Sequence, residues 1–372
     1  MLSMLVAVAL GASGLDPIAS PFAPPPAPAL KVLRLLAPSG SFNPKTLRGF
    51  ERESGYVVNY DAYGDPARIP SLMKEPYDVV LLPGPAIARA IAAGQLRRIE
   101  KAQVANAGHI VQAVAAKLTA YDAAGAYALA WGWSATGLLY DAGKAPRLLG
   151  AAPSSWTAAL APQIARRLAP CGVALPDARD EMFIAAWRMM GVFPERARER
   201  EVKAAADVII RARAAVRQPA SRDPLTAVAS GAVCLTFGNA AQAGIGSRRS
   251  RVGGAGLDIR FAAPREGGPM AIHALAEPRD APHPREALAL IDFLLRPTIA
   301  AESTAAAGLA SAEVEAPTQD FRGLWPVGVY PPTLLPLVEK EWARARAPEK
   351  PEPAAQAKPG GKPSAKPKGT KR

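Results

Sequence analysis

Three groups of residues have the types and spacing to do chemistry. Pro38-Ser39-Gly40-Ser41 follows an apolar run and precedes a helix start at Asn43-Pro44. Backbone N–H groups with two hydroxyls, Ser39 and Ser41, at a helix N-terminus favour an anion or a carboxylate. Pro83-Gly84-Pro85 ends a later apolar run in the same way, although its prolines remove two donors. Asp177, Asp180 and Glu181 gather at the start of a third helix. Acids in a first helical turn commonly serve the helix dipole, and one that faces a cleft would bind an amine.

Catalytic signals are missing. The histidines are His109, His273 and His283, and none has metal-ligand spacing. There is no nucleophile elbow and no Walker loop. Gly244/Gly246 and the glycines of 253–256 lack dinucleotide spacing after a strand and read as turns. No enzyme activity, cofactor or metal is expected. His273, in an apolar strand, is either a satisfied core histidine or a cleft contact.

The elements that must position these residues alternate. Apolar runs at 31–36, 56–60 and 77–82 read as strands, with helices at 43–54, 65–74 and 86–93 between and after them. Pro44 at a first helical position and Gly55 just past the end punctuate the first helix. Beyond 131–141 the alternation resumes, with strands at 173–175 and 233–237 and helices at 177–190, 201–217 and 223–230. Phe183, Ala186, Trp187 and Met190 form a helical stripe that reads as core. Residues 259–262 and 270–276 read as strands returning to the first unit. The pattern is α/β with mostly parallel sheets in two units, and 131–141, Trp-Gly-Trp-Ser-Ala-Thr-Gly-Leu-Leu-Tyr-Asp, crosses between them.

Two units also suit 372 residues. The formal charge is +13, of which 347–372 carries +5, a weak pointer to anionic partners. That tail, rich in Pro, Lys, Ala and Gly, reads as disordered and basic. Its lysines lack interleaved aromatics, so no specific nucleic acid is expected. Residues 1–29 read as an apolar leader and a Pro-rich linker. The leader is an export signal, either atypical or lacking its basic start because the start codon is misplaced, or a disordered segment. No run is long enough for a spanning helix. Cys171 and Cys234, the two cysteines, pair if the chain is exported or stay as separate buried thiols.

The ordered segments resemble the periplasmic spermidine/putrescine-binding proteins of ABC transporters. Seven stretches carry the likeness: 30–55, Tyr77-Asp78-Val79-Val80, 131–141, 173–183 with Asp-Ala-Arg-Asp, 230–239, 289–301 and 308–311. The resemblance implies a type II periplasmic-binding fold whose two lobes close about a hinge on a small solute. Lobe one is expected at 30–136 plus 257–308, and lobe two at 137–256 plus 309–346. It also implies a periplasmic monomer that delivers its solute to a membrane permease.

Carried over by position, the resemblance places Ser39, Ser41, Gly84, Trp133, Asp177, Asp180, Asn239, Gln242 and His273 at the ligand. Several depart from the family pattern. Pro38 to Ser41 stand where the family has Trp-Ser/Thr-Asp/Glu-Tyr, and Leu82 to Pro85 replace Pro-Ser-x-Tyr. Asn239 replaces a stacking Trp, Gln242 an Asp, His273 the Asp of Trp-Phe-Asp-Asn, and Leu309 a Tyr. Only the acids of 177–181 match, with Asp180 and Glu181 competing for one position. Polyamines are held by carboxylates and aromatic faces, so these losses argue against tight putrescine or spermidine binding. Two alternatives follow: the same fold binding a small anion or amino acid at the 39–43 turn, or a scaffold protein outside transport.

Overall fold

The computed structural model describes residues 31–216, 223–313 and 321–346. The leader and linker expected over 1–29 and the tail expected over 347–372 lie outside the described residues.

The apolar runs form strands: β1 (Val32–Pro38), β2 (Val57–Tyr63), β3 (Val79–Pro83), β4 (Ala128–Ala135), β5 (Gly137–Asp141) and β6 (Val173–Ala174). They continue with β7 (Leu235–Gly238), β8 (Ile259–Ala262), β9 (Gly268–Ala276), β10 (Ala310–Ser311) and β11 (Leu324–Pro326). Two sheets result. The first has the order β10-β4-β9-β3-β1-β2, with β11 added against β9, and the second has the order β6-β7-β5-β8. In the first sheet β1 is parallel to β2 and β3, whereas β9 is antiparallel to β3 and β4. Helices pack around both sheets, giving the expected α/β class, but the sheets are mixed where mostly parallel ones were expected. β9 enters the first sheet antiparallel to β3 and β4. In the second, among the described residues, only β6–β7 is parallel, while β7 and β8 both pair antiparallel with β5. The helix Pro44–Ser54 shows how local chemistry sets the boundaries. The Asn43 side chain accepts from the Thr46 N–H, Pro44 needs no hydrogen-bond partner for a donor it lacks, and Gly55 ends the helix at φ 74°.

Only Thr136 separates β4 from β5, so the chain passes from one sheet to the other there, within the predicted crossing. Trp131 is the extra residue of a bulge in β4, between the pairs Ala130–Ala274 and Gly132–His273. Its ring is fully buried, 5.2 Å from that of Phe42. The chain returns between β8 and β9 and crosses a third time after β11, ending in the helix Leu335–Arg346.

The strand partners differ from the sequence expectation at two places. Residues 259–262, assigned above to the first lobe, pair antiparallel with β5 in the second sheet. Gly137 permits this close approach: a Cβ there would lie 2.6 Å from the Ala262 carbonyl oxygen and 2.7 Å from the Phe261 ring. Conversely, β10 and β11 lie in the first sheet, although 309–346 was assigned to the second lobe. The later helix Leu335–Arg346 does join the second core, where Val338 and Trp342 pack with Phe183 and Trp187.

Phe183, Ala186 and Trp187 are fully buried, as their spacing predicts, and each large side chain contributes about 1.5–3 kcal/mol. Cys171 and Cys234 form a disulfide, with Cα atoms 5.4 Å apart, beside the parallel pair β6–β7. Among the described residues no helix is long and apolar enough to cross a membrane.

Candidate functional site

β6 and β7 run parallel, so the helices that follow them, Arg179–Met189 and Ala240–Val252, begin at the same end of the second sheet. The parallel pair β1–β3 presents the turns at 38–43 and 83–84 from the first sheet. The carboxyl ends of such strands are where open α/β sheets receive ligands.

The acids of 177–181 separate into three environments. Asp177 is 60% exposed and forms an ion pair with Arg346 at 2.9 Å. Asp180 accepts from the Arg179 guanidinium at 2.8 Å and from the Tyr330 hydroxyl at 3.3 Å. Arg179, which also reaches Glu339 at 3.3 Å, is thus the ion-pair partner of Asp180. Glu181 differs. It is partly exposed, has no ion-pair partner among the described residues, and lies against Thr136 in the crossing. Burial pushes its carboxyl above the usual carboxylate range, Asp180 adds to this, and the Thr136 hydrogen bond opposes it.

The first sheet meets this acidic corner through residues that follow β11. A Cβ on Gly328 would lie 3.2 Å from an Asp180 oxygen and 3.5 Å from Pro85, so the strand-to-helix strap runs between them. Tyr121 donates to the Val327 carbonyl at 2.6 Å, fixing the strap from the other side. Burial, reinforced by the charge of Asp180, pushes the Tyr121 phenol pKa well up.

A slot of about 160 Å³ opens between the two sheets. Trp133, Ser134 and Leu309 line it from the first sheet's side, and Asn239, Ala240 and Phe261 from the second. Among the described residues none that lines it is charged. Trp133 is held as a wall: its indole N–H donates to the Ser311 carbonyl at 3.2 Å and its ring lies 4.9 Å from Phe321.

Of the residues singled out in the sequence, Trp133 and Asn239 share this slot. Gln242 does not line it. Its side chain accepts from the Asn239 N–H at 2.9 Å, and the Asn239 side chain accepts from the Gln242 N–H at 3.0 Å. Ser39 is exposed, with its N–H and its hydroxyl both directed at the Tyr63 carbonyl. Ser41 is buried beside Tyr60, whose hydroxyl bonds the Pro38 carbonyl. The donors of the 38–43 turn are thus largely engaged. Gly84 lies under the Tyr121 ring, 2.1 Å from where a Cβ would be, so its missing side chain serves packing. His273 sits in β9 opposite Pro83 and Gly132. Its Nδ1 is buried without a partner, and burial lowers its pKa to about 4. Sequence reasoning did not find Thr136, Tyr121, Tyr330 or Phe261 as site residues; Thr136 lies within the crossing stretch without standing out there, and the other three reach the site through long-range contacts that no local motif announces.

The family model for bacterial extracellular solute-binding proteins matches residues 45–321. The putrescine/agmatine-binding protein of Pseudomonas aeruginosa is 28% identical over 266 residues, covering 70% of this chain and 72% of that protein. The putrescine-binding periplasmic protein PotF of Escherichia coli is 26% identical over 339 residues, covering 85% and 92%. Among solved structures, the spermidine/putrescine transporter substrate-binding protein PotD of Streptococcus pneumoniae superposes with TM-score 0.72 at 13% identity, covering 85% of this chain and 98% of that one. The Tp0655 lipoprotein of Treponema pallidum gives 0.70 at 20% identity, covering 85% and 99%. These structural likenesses establish the type II periplasmic-binding fold.

Proposed function

The chain belongs to the bacterial extracellular solute-binding protein family, and from that premise we propose that it captures a small cationic solute between its two sheets and delivers it to an ABC-transporter permease. The observation that carries this reading is Glu181, a first-turn carboxylate with no ion-pair partner among the described residues, lying against Thr136, the residue that joins β4 of the first sheet to β5 of the second. A carboxylate held largely out of water is costly unless it is protonated or paired, and a cation supplies the pairing.

The lobes are taken to be built on the two sheets and to close about the Thr136 crossing, the β8–β9 return and the strap after β11. The reading includes export to the periplasm, which the Cys171–Cys234 disulfide supports because such bonds persist in oxidising compartments. It also includes a monomeric state and no catalytic role. The anion alternative is disfavoured because the 38–43 turn spends its donors internally.

A thermal-shift panel of the oxidised protein tests this. Agmatine, putrescine and simple primary amines represent cations, with sulfate, phosphate and neutral amino acids as the contrast. A ligand that binds only the folded form raises the melting temperature. Stabilisation by amines that is lost in Glu181→Gln is the expected result. Stabilisation by anions alone, or by nothing in the panel, would overturn the reading.

A further inference from the structure

Resting on the cationic-solute reading above, we infer that the solute has one cationic head and an apolar tail, not a cation at each end. The head belongs at Glu181. Of the three acids at this corner, Asp177 is paired to Arg346 and Asp180 to Arg179, which leaves Glu181 as the counter-charge with no ion-pair partner among the described residues.

The tail belongs in the slot. Ala135 lines the slot, and the next residue, Thr136, lies beside Glu181. The helices at whose starts Glu181 and Asn239 stand begin at the same end of the parallel pair β6–β7, which puts the carboxylate on the same side of the second sheet as the slot. Trp133, Phe261 and Leu309 supply apolar walls, and about 160 Å³ holds roughly five heavy atoms at the ~30 Å³ a water occupies in the liquid.

A second ammonium entering the slot would meet no carboxylate among the described residues, since none of those that line it is charged. The nearby polar groups do not substitute for one. Asn239 and Gln242 are bonded to each other's backbone, and His273 is an imidazole that can offer no negative charge. An ammonium stripped of water without a counter-charge binds poorly. The penalty relative to a methyl terminus is expected to be at least ~10-fold in affinity, the usual weight of one unmade charge-assisted contact.

The test is isothermal titration calorimetry of the oxidised full chain with a matched pair. n-Pentylamine and 1,5-diaminopentane share a five-carbon chain and differ at the far end. The inference expects n-pentylamine to bind at least ~10-fold more tightly, and Leu309→Asp to narrow or reverse that preference. A diamine that binds the wild type as tightly as n-pentylamine, or more tightly, overturns the one-head inference while leaving the cationic-solute reading intact. Failure of both amines, with agmatine and putrescine also inert, overturns that reading and the inference with it. The wild-type comparison decides the matter even where Leu309→Asp does not fold.

Discussion

Asn239 and Gln242 hold each other: each side chain accepts from the other's backbone N–H, at 3.0 and 2.9 Å, closing the first turn of the helix Ala240–Val252. This capping box uses two amides that, by sequence position, would have faced a ligand. Asn239→Ala should therefore lower unfolding stability by about 1 kcal/mol, measured by urea denaturation. Amine affinity should change less than about threefold, because the side chain is committed to the cap. A direct contact to the solute would instead lose about tenfold or more.

Gly84 and Tyr121 make a second prediction. The Tyr121 ring occupies the space of a Gly84 side chain, with 2.1 Å between the Cε2 atom and an ideal Cβ. Gly84→Ala must displace a ring whose hydroxyl anchors the strap at Val327. A loss of about 1–3 kcal/mol is expected for such overpacking. Tyr121→Phe, which removes only the hydrogen bond, should cost about 1 kcal/mol. Denaturation midpoints of the two variants should rank in that order.

What the sequence made legible were features with local causes. Asn43, Pro44 and Gly55 bracket a helix by their own backbone preferences, and the run at 79–82 is apolar because both faces of β3 are covered. The crossing at 131–141 was legible as a β-prone stretch joining two alternating patterns. The pairing of β8 was not, because it depends on the space above Gly137, a relation across 124 positions between residues 137 and 261. β10 and β11 are two and three residues long, too short to show a period. In the site, the acids of 177–181 stood out as first-turn residues. Which of them stays free depends on Arg346 and Tyr330, which the strap and the last helix bring from far along the chain.

The Cys171–Cys234 bond spans a sequence separation of 63. By loop-closure entropy, a cross-link of that length stabilises by about 4 kcal/mol. The Cys171→Ser, Cys234→Ser double variant should unfold at markedly lower urea than the oxidised wild type. Reduced wild type should approach the double variant, and reductant should leave the double variant unchanged.

Glu313 provides a pH signature. It is buried, its hydroxyl neighbour is Ser311, and burial raises its pKa from 4.5 to about 7. A carboxyl whose folded pKa is raised binds more protons in the folded than in the unfolded state. Stability is then highest below the unfolded value and falls as pH rises from about 4.5 to about 7. Glu313→Gln removes this cost. The variant should gain on wild type progressively over that window, up to about 3 kcal/mol at pH 8, in denaturation series at fixed ionic strength.

The proton on Glu181 governs ligand binding by the same linkage, with the sign set by the solute. Burial and Asp180 raise its pKa, so in the empty cleft part of the population is protonated at pH values where an ordinary glutamate is fully charged. A bound ammonium favours the carboxylate and must expel that proton. Amine affinity should therefore hold at high pH and weaken as pH falls through the raised pKa. The binding enthalpy at such a pH should vary with the buffer's ionisation heat, since the released proton is taken up by buffer. In Glu181→Gln both the pH slope and the buffer dependence should vanish with the tight binding. If instead the slope survives in this variant, the titrating group lies elsewhere and Glu181 is not the solute's counter-charge.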